Sequence, residues 1–99
     1  MNALLALGGT ITIIGVTGML LRKNLVIMLM SLELTILGGT IGLIGVARLH
    51  AITGAIGAGA LLIPFIFVIA AAEACVGLTL IMAIFKTQKT LWVDEIDKT

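Results

Sequence analysis

Three long apolar runs divide this chain, and they decide its solvent before any other feature is considered. Residues Ala3 to Leu21 carry no ionisable side chain and end at Arg22-Lys23-Asn24. A second run, Leu25 to Ala47, is broken only by Glu33 and closed by Arg48 and His50. The third, Ala51 to Phe85, holds Glu73 and Cys75 as its only ionisable groups and stops at Lys86. A helix needs about 20 apolar residues to cross the hydrocarbon core of a bilayer. With 99 residues, 61% hydrophobic and 11% charged, the chain cannot hide its apolar side chains in a core of its own. The expected class is an all-α integral membrane protein with three transmembrane helices. It forms a single domain over 1–99, with spans at about 3–21, 25–47 and 61–85 and a polar tail at 86–99.

The third run is longer than a span requires. Ala51 to Ala60, with Gly54, Gly57 and Gly59, reads as a connecting segment, and helix three then begins near Leu61. Pro64 falls in or near the first turn, where a missing N–H costs little. A kinked, tilted helix from about Ile56 is the alternative. The first run exceeds the apolar core of a secretory signal, about 7–15 residues, and lacks a basic region before it.

Charge sets the orientation. Arg22 and Lys23 lie between helices one and two, and Lys86 and Lys89 follow helix three. Two crossings separate these segments, so they share a side, and the other side has only Arg48 and an N-terminus without charged side chains. Basic residues favour the inner face. The N-terminus is therefore expected outside and the tail on the cytoplasmic or matrix side, with Trp92 an interfacial anchor along the membrane surface or a neighbouring subunit.

Glu33 and Glu73 are the candidate functional residues. An ionisable group at membrane depth costs about 2.5 kcal/mol or more, and packing alone would be served better by Ala or Leu. At 1.5 Å per residue, Glu33 lies about 12 Å from the inner end of its span and Glu73 about 18 Å from the end of its own. The two depths differ by about one helical turn, so packing of these faces together would allow proton exchange directly or through a few waters. The structural alternative is a neutral Glu that only gives specificity to assembly. No cation lies within the spans, so an ionic partner must come from another subunit.

Other features carry less. Arg22 and Lys23 are topological anchors, with an electrostatic or interface role as the alternative. Gly38 and Gly42 form a G-x-x-x-G in helix two, with Gly39 expected to widen the groove, and this points to close helix contact. Cys75 reads as a small packing residue and His50 as a solvated loop residue. One cysteine excludes an internal disulfide and any multi-cysteine metal site. The Gly54–Gly59 stretch has no P-loop lysine. A net charge of +1, with the basic residues flanking the runs, gives no footprint for nucleic acid.

Three blocks resemble the K subunit, or 4L chain, of respiratory complex I (NADH:quinone oxidoreductase). They are Arg22-Lys23-Asn24-Leu25 followed by Met30-Ser31-Leu32-Glu33-Leu34, then Phe67 to Leu78 around Ala70-Ala71-Ala72-Glu73, then Phe85 with the basic residues after it and Val93-Asp94-Glu95. The resemblance spans nearly the whole chain. It implies a membrane-arm subunit of a proton-translocating enzyme, in which Glu33 and Glu73 are the membrane glutamates of the proton path and Arg22 and Lys23 the basic first-loop pair. It implies no redox centre in this chain, with FMN, iron–sulfur clusters and quinone bound by other subunits. The implied partners are small neighbouring membrane subunits, an antiporter-like subunit and the lipid bilayer, in a mitochondrial inner or bacterial plasma membrane. The sequence departs from the family in Thr35-Ile36-Leu37-Gly38-Gly39-Thr40, where an Asn-containing segment is usual, in Gly59-Ala60 at Gly-Gln positions, and in Pro64.

Rival readings fit less well. A rotor-ring subunit of an ATP synthase has two spans and one carboxylate. A small multidrug transporter has four spans and an aromatic-lined pocket, whereas this chain has no Tyr and its one Trp lies in the tail. The homologous small subunit of a multisubunit cation/proton antiporter or membrane-bound hydrogenase remains the alternative, beside a purely structural assembly subunit. Orientation is directly testable. Lys23→Cys is expected to react with a membrane-impermeant reagent only from the cytoplasmic or matrix side, and Thr53→Cys only from the other. Equal labelling of both from one side would overturn the three-span arrangement.

Overall fold

The computed structural model describes residues 3–52 and 59–96. Helix α1 covers Ala3–Leu21, α2 Leu25–Ile52 and α3 Gly59–Gln88, and a 3-10 turn follows at Val93–Glu95. All three helices are long and apolar enough to cross a membrane. They are apolar all round rather than on one stripe, as helices that face lipid are. They stand in a row, with α2 between α1 and α3. The result is a slab measuring 60 × 24 × 13 Å, thinner than it is wide because the helices form a single layer.

The distribution of side chains is inverted relative to a water-soluble protein. Among the described residues the buried positions are Gly8, Gly15, Ser31, Gly38, Thr40, Gly45 and Ile81. Large apolar side chains such as Ile13, Leu20, Phe65 and Val68 point outward. In lipid there is no gain from hiding leucine, so small residues and backbone contact hold helices together.

The α1–α2 contact shows how. A Cβ added to Gly8 would lie 2.6 Å from the Gly38 carbonyl oxygen, and one added to Gly38 would lie 2.6 Å from the Thr12 nitrogen. Further along, a Cβ on Gly15 would meet the Thr35 nitrogen at 2.7 Å and its hydroxyl. The arrangement is reciprocal: Thr12 of α1 fills the space left by Gly38, and Thr35 of α2 fills that left by Gly15. Each hydroxyl is satisfied within its own helix, Thr12 Oγ1 donating to the Gly8 carbonyl at 2.8 Å and Thr35 Oγ1 to the Ser31 carbonyl at 2.9 Å. With their protons so used, these side chains cost little out of water. Gly39 takes no part. It is exposed with nothing within 4 Å of a Cβ, a turn of about 100° from Gly38, so it does not widen the groove.

The tail returns to the chain's own first link. Asn24 and Trp92 form an antiparallel bridge, in which Leu25 N–H donates to the Leu91 carbonyl at 2.8 Å and Val93 N–H to the Lys23 carbonyl at 2.7 Å. Asn24 also caps α2, its Oδ1 accepting from Val26 N–H at 2.9 Å and Ile27 N–H at 3.3 Å. Lys89, at φ 56°, takes the left-handed conformation that ends a helix, and turns the tail back. Lys23 and Asp94 add an exposed ion pair at 3.8 Å, worth little against solvent. Trp92 is exposed, as an interfacial anchor requires, but the backbone of the tail is tied to the chain's own first link. We refer to this end, with Arg22, Lys23, Lys86 and Lys89, as the basic end.

Two helices are longer than their expected spans. Helix α2 continues past Ala47 to Ile52, and α3 starts at Gly59, so Pro64 stands six residues in rather than in the first turn. Its missing N–H removes the bond that the Ala60 carbonyl would otherwise accept. The remainder of the expected connection, 53–58, lies outside the described residues. The α1–α2 contact makes a prediction. Gly15→Val is expected to weaken it by about 1–3 kcal/mol, an overpacking cost, while Gly39→Ala changes little. The amount of each variant recovered in detergent-solubilised assemblies would measure the difference.

Candidate functional site

Glu33 sits eight residues into α2, on the side opposite its glycine contact with α1. A groove of about 550 Å³ runs there between α2 and α3, lined by Leu29, Glu33 and Thr40 from one helix and by Phe67, Ala70 and Ala74 from the other. The alanines leave the room. Glu33 Oε1 is buried in this groove without a hydrogen-bond partner. A buried polar atom left unmatched costs about 1–3 kcal/mol, so the site is built to receive a proton donor, a water or a neighbouring group. Thr40, two turns along and 3% exposed, is the other polar lining residue. Its hydroxyl donates to the Ile36 carbonyl at 2.8 Å, leaving its oxygen free to accept.

The register of α3 follows from a single close contact. A Cβ on Gly77 would lie 2.8 Å from Leu29 Cδ1. The helices are antiparallel, because α2 leaves the basic end and α3 returns to it. Four residues away from that end along each helix stand Glu33 and Glu73, which are therefore level. The offset of about one turn expected from the sequence disappears because Ile81, rather than Phe85, stands level with Leu25 at the start of α2, so that α3 overhangs it at the basic end.

Level does not mean adjacent. Glu73 is exposed and does not line the groove. Of the α3 residues that do, Ile66 and Ala70 lie about 20–60° round the helix from Glu73 and Ala74, Phe67 and Leu78 about 100–140°, so Glu73 stands at the edge of the groove face. Glu73 shares its flank with Ile69, Val76 and Leu80, all exposed. The structure thus brings the two carboxylates to one depth but into different surroundings: Glu33 in the groove between this chain's helices, Glu73 exposed at its edge.

Arg22 and Lys23 are exposed in the link between α1 and α2. Lys23 is engaged with Asp94 and, through its carbonyl, with the tail. Cys75 is exposed on α3, not packed. The side chain of His50 lies outside the described residues. Among the described residues, no group of three or more His, Cys, Asp or Glu side chains gathers to hold a metal. Sequence reasoning missed the tail's pairing with the link and Asn24's cap. The one signal was opposite charge, Lys23 in the link and Asp94 in the tail.

The register is testable by cross-linking. In a Cys75→Ser background, Leu29→Cys with Gly77→Cys is expected to form a disulfide readily on oxidation. Leu29→Cys with Val76→Cys, which turns the second thiol about 100° away, is expected not to. The reverse outcome would turn α3 about its axis by about 100° and undo the placement of Glu73 relative to the groove.

Comparison with known proteins shows the family. Residues 3–99 match the family described as NADH-ubiquinone/plastoquinone oxidoreductase chain 4L. The chain is 39% identical over 98 residues to NADH-quinone oxidoreductase subunit K of Xanthomonas oryzae pv. oryzae, covering 98% of this chain and 96% of that one. It is 38% identical to the subunit K of Stenotrophomonas maltophilia and 40% identical to that of Xylella fastidiosa, each over 95% of this chain and 90% of the relative. A match over essentially the full length, with three helices of spanning length, leaves one assignment: the chain belongs to the chain 4L, or subunit K, family of NADH–quinone oxidoreductases.

Proposed function

We propose that this chain serves in the membrane arm of a proton-pumping NADH:quinone oxidoreductase, where Glu33 and Glu73 carry protons along the path that couples quinone reduction to pumping. The observation that carries this reading is the orphaned Glu33 oxygen in a groove at the level of Glu73. A carboxyl with an unmatched oxygen is poised to gain or pass on a proton, and lipid alone would not sustain it. Glu73, exposed on its own flank, needs a polar neighbour from another subunit. The path therefore crosses this chain from one partner to the next, with Glu33 the station inside it and Glu73 the station at an interface. The partners in this reading are small neighbouring membrane subunits on one side and an antiporter-like subunit on the other. FMN, iron–sulfur clusters and quinone belong to other subunits, and this chain contributes proton-carrying groups only.

Orientation belongs to the same proposal. The basic end faces the cytoplasm or matrix, with the N-terminus on the opposite, positive side. The three relatives named above are bacterial, which favours the bacterial plasma membrane over the mitochondrial inner membrane.

The test uses the assembled complex in sealed vesicles. Glu73→Gln keeps the shape of the side chain but cannot release a proton. Pumping and quinone reduction are expected to fall by about a hundredfold, the lower worth of a positioned proton-transfer group, while NADH oxidation by an artificial acceptor continues. Glu33→Gln is expected to do likewise, and the double variant to do no more than the worse single one, because members of one path do not add. Wild-type pumping by Glu73→Gln would sink the relay. Tolerance of both Gln variants with loss of assembly in the Ala variants would instead establish a structural role.

A further inference from the structure

Helix α3 is 30 residues long, yet Ile81 is its one buried side chain among the described residues. Opposite Glu33 it presents Ala70 and Ala74, which leave a groove rather than fill it, so packing there does little to fix how α3 slides or turns. The elements that can fix it gather at the basic end. Ile81 shares a furrow with Val26 of α2 and Leu91 of the tail, so the tail helps to wall in the one buried side chain of α3.

The tail is braced before it docks. Trp92 N–H donates to the Thr90 hydroxyl at 3.1 Å, that hydroxyl donates to Glu95 Oε2 at 2.7 Å, and Glu95 N–H donates to the Trp92 carbonyl at 3.0 Å. A segment so braced gives up little freedom on docking. Its two backbone bonds, Leu25 N–H to the Leu91 carbonyl and Val93 N–H to the Lys23 carbonyl, then join the end of α3 to the start of α2. We propose that residues 89–96 are a strap that sets the position of α3 against α2, with Leu91 and the Val93 N–H as positioning groups for Glu73. They act through the helix, since Glu73 stands about 22 Å from Gln88 along α3 at 1.5 Å per residue. The bearing of the strap on pumping rests on the proposed relay; its hold on α3 does not.

Val93 allows the strap to be loosened at one bond. Trp92 before it is extended, at φ −84° and ψ 122°, as a residue before proline must be, and Val93 opens a 3-10 turn, a position that proline tolerates. Val93→Pro therefore suits the backbone while removing the N–H that reaches Lys23. Val93→Ala keeps that N–H. The assembled complex carrying Cys75→Ser, Leu29→Cys and Gly77→Cys is oxidised in sealed vesicles, and the disulfide is followed by peptide mass spectrometry. Adding Val93→Pro is expected to slow its formation about fivefold, the worth of one backbone hydrogen bond. Leu91→Ala is expected to slow it as well, and Val93→Ala to leave it unchanged. Unchanged rates in both Val93→Pro and Leu91→Ala would overturn the strap. Equal slowing by Val93→Ala would do so too, because the N–H would then not be the cause. Pumping is read on the same position 91 and 93 variants without the cysteines. Pumping that falls with the disulfide rate agrees with both readings, whereas a slowed disulfide with wild-type pumping keeps the strap and counts against the relay.

Discussion

The close antiparallel contact of α1 and α2 is the constraint on which the rest of the structure depends. In a bilayer core there is no water to push apolar side chains together, so contact must come from shape and from satisfied polar groups. Gly8 and Gly15 on one helix, and Gly38 on the other, bring the backbones near enough for Thr12 and Thr35 to fill the opposite hollows. Each hydroxyl has already donated within its own helix, so no polar hydrogen is stranded. Once these two helices are locked, the remaining face of α2 is fixed in direction. Glu33 and Thr40 lie on that face.

Helix α3 is held by different means. It meets α2 through a narrower set of small residues, Ala70, Ala74 and Gly77, and is tied at the basic end by the bridge between the tail and the first link. The looseness has a use. A tightly interlocked α2–α3 contact, like that of α1 and α2, would leave no groove around Glu33. Two contacts of unequal quality, one sealed and one open, give this small chain both a rigid part and a space where a carboxyl oxygen waits for a partner.

The separation of the glutamates has a consequence for the mechanism. In the proposed relay, standing level would keep a proton at one membrane depth as it passes sideways, and the exposure of Glu73 would call for a neighbouring subunit to receive it. A lateral path through several subunits needs both properties, whereas a pore through a single bundle would need its carboxylates stacked along one cavity. The three-helix row suits the first arrangement, since a slab one helix thick is open to neighbours on both faces.

How much of this was legible in the sequence depends on which forces were local. Three spans, their helical state and the two intramembrane carboxylates follow from unbroken apolar runs and single acidic residues, because the cost of charge and of open backbone in lipid is paid residue by residue. The contact at Gly38 was readable from the G-x-x-x-G, but Gly42 lends only its backbone to Gly8 and Gly39 takes no part, since the direction of each depends on which face α1 covers. The register of α3 against α2 was beyond sequence, because it rests on one meeting of Gly77 with Leu29. Nor did composition reveal that the tail pairs with the first link, a contact between backbones more than sixty residues apart. The residues themselves determined that this chain lives in a membrane and carries two acids there. Only the tertiary structure decided that one acid faces inward and the other outward, because the face a helix presents is set by its neighbours.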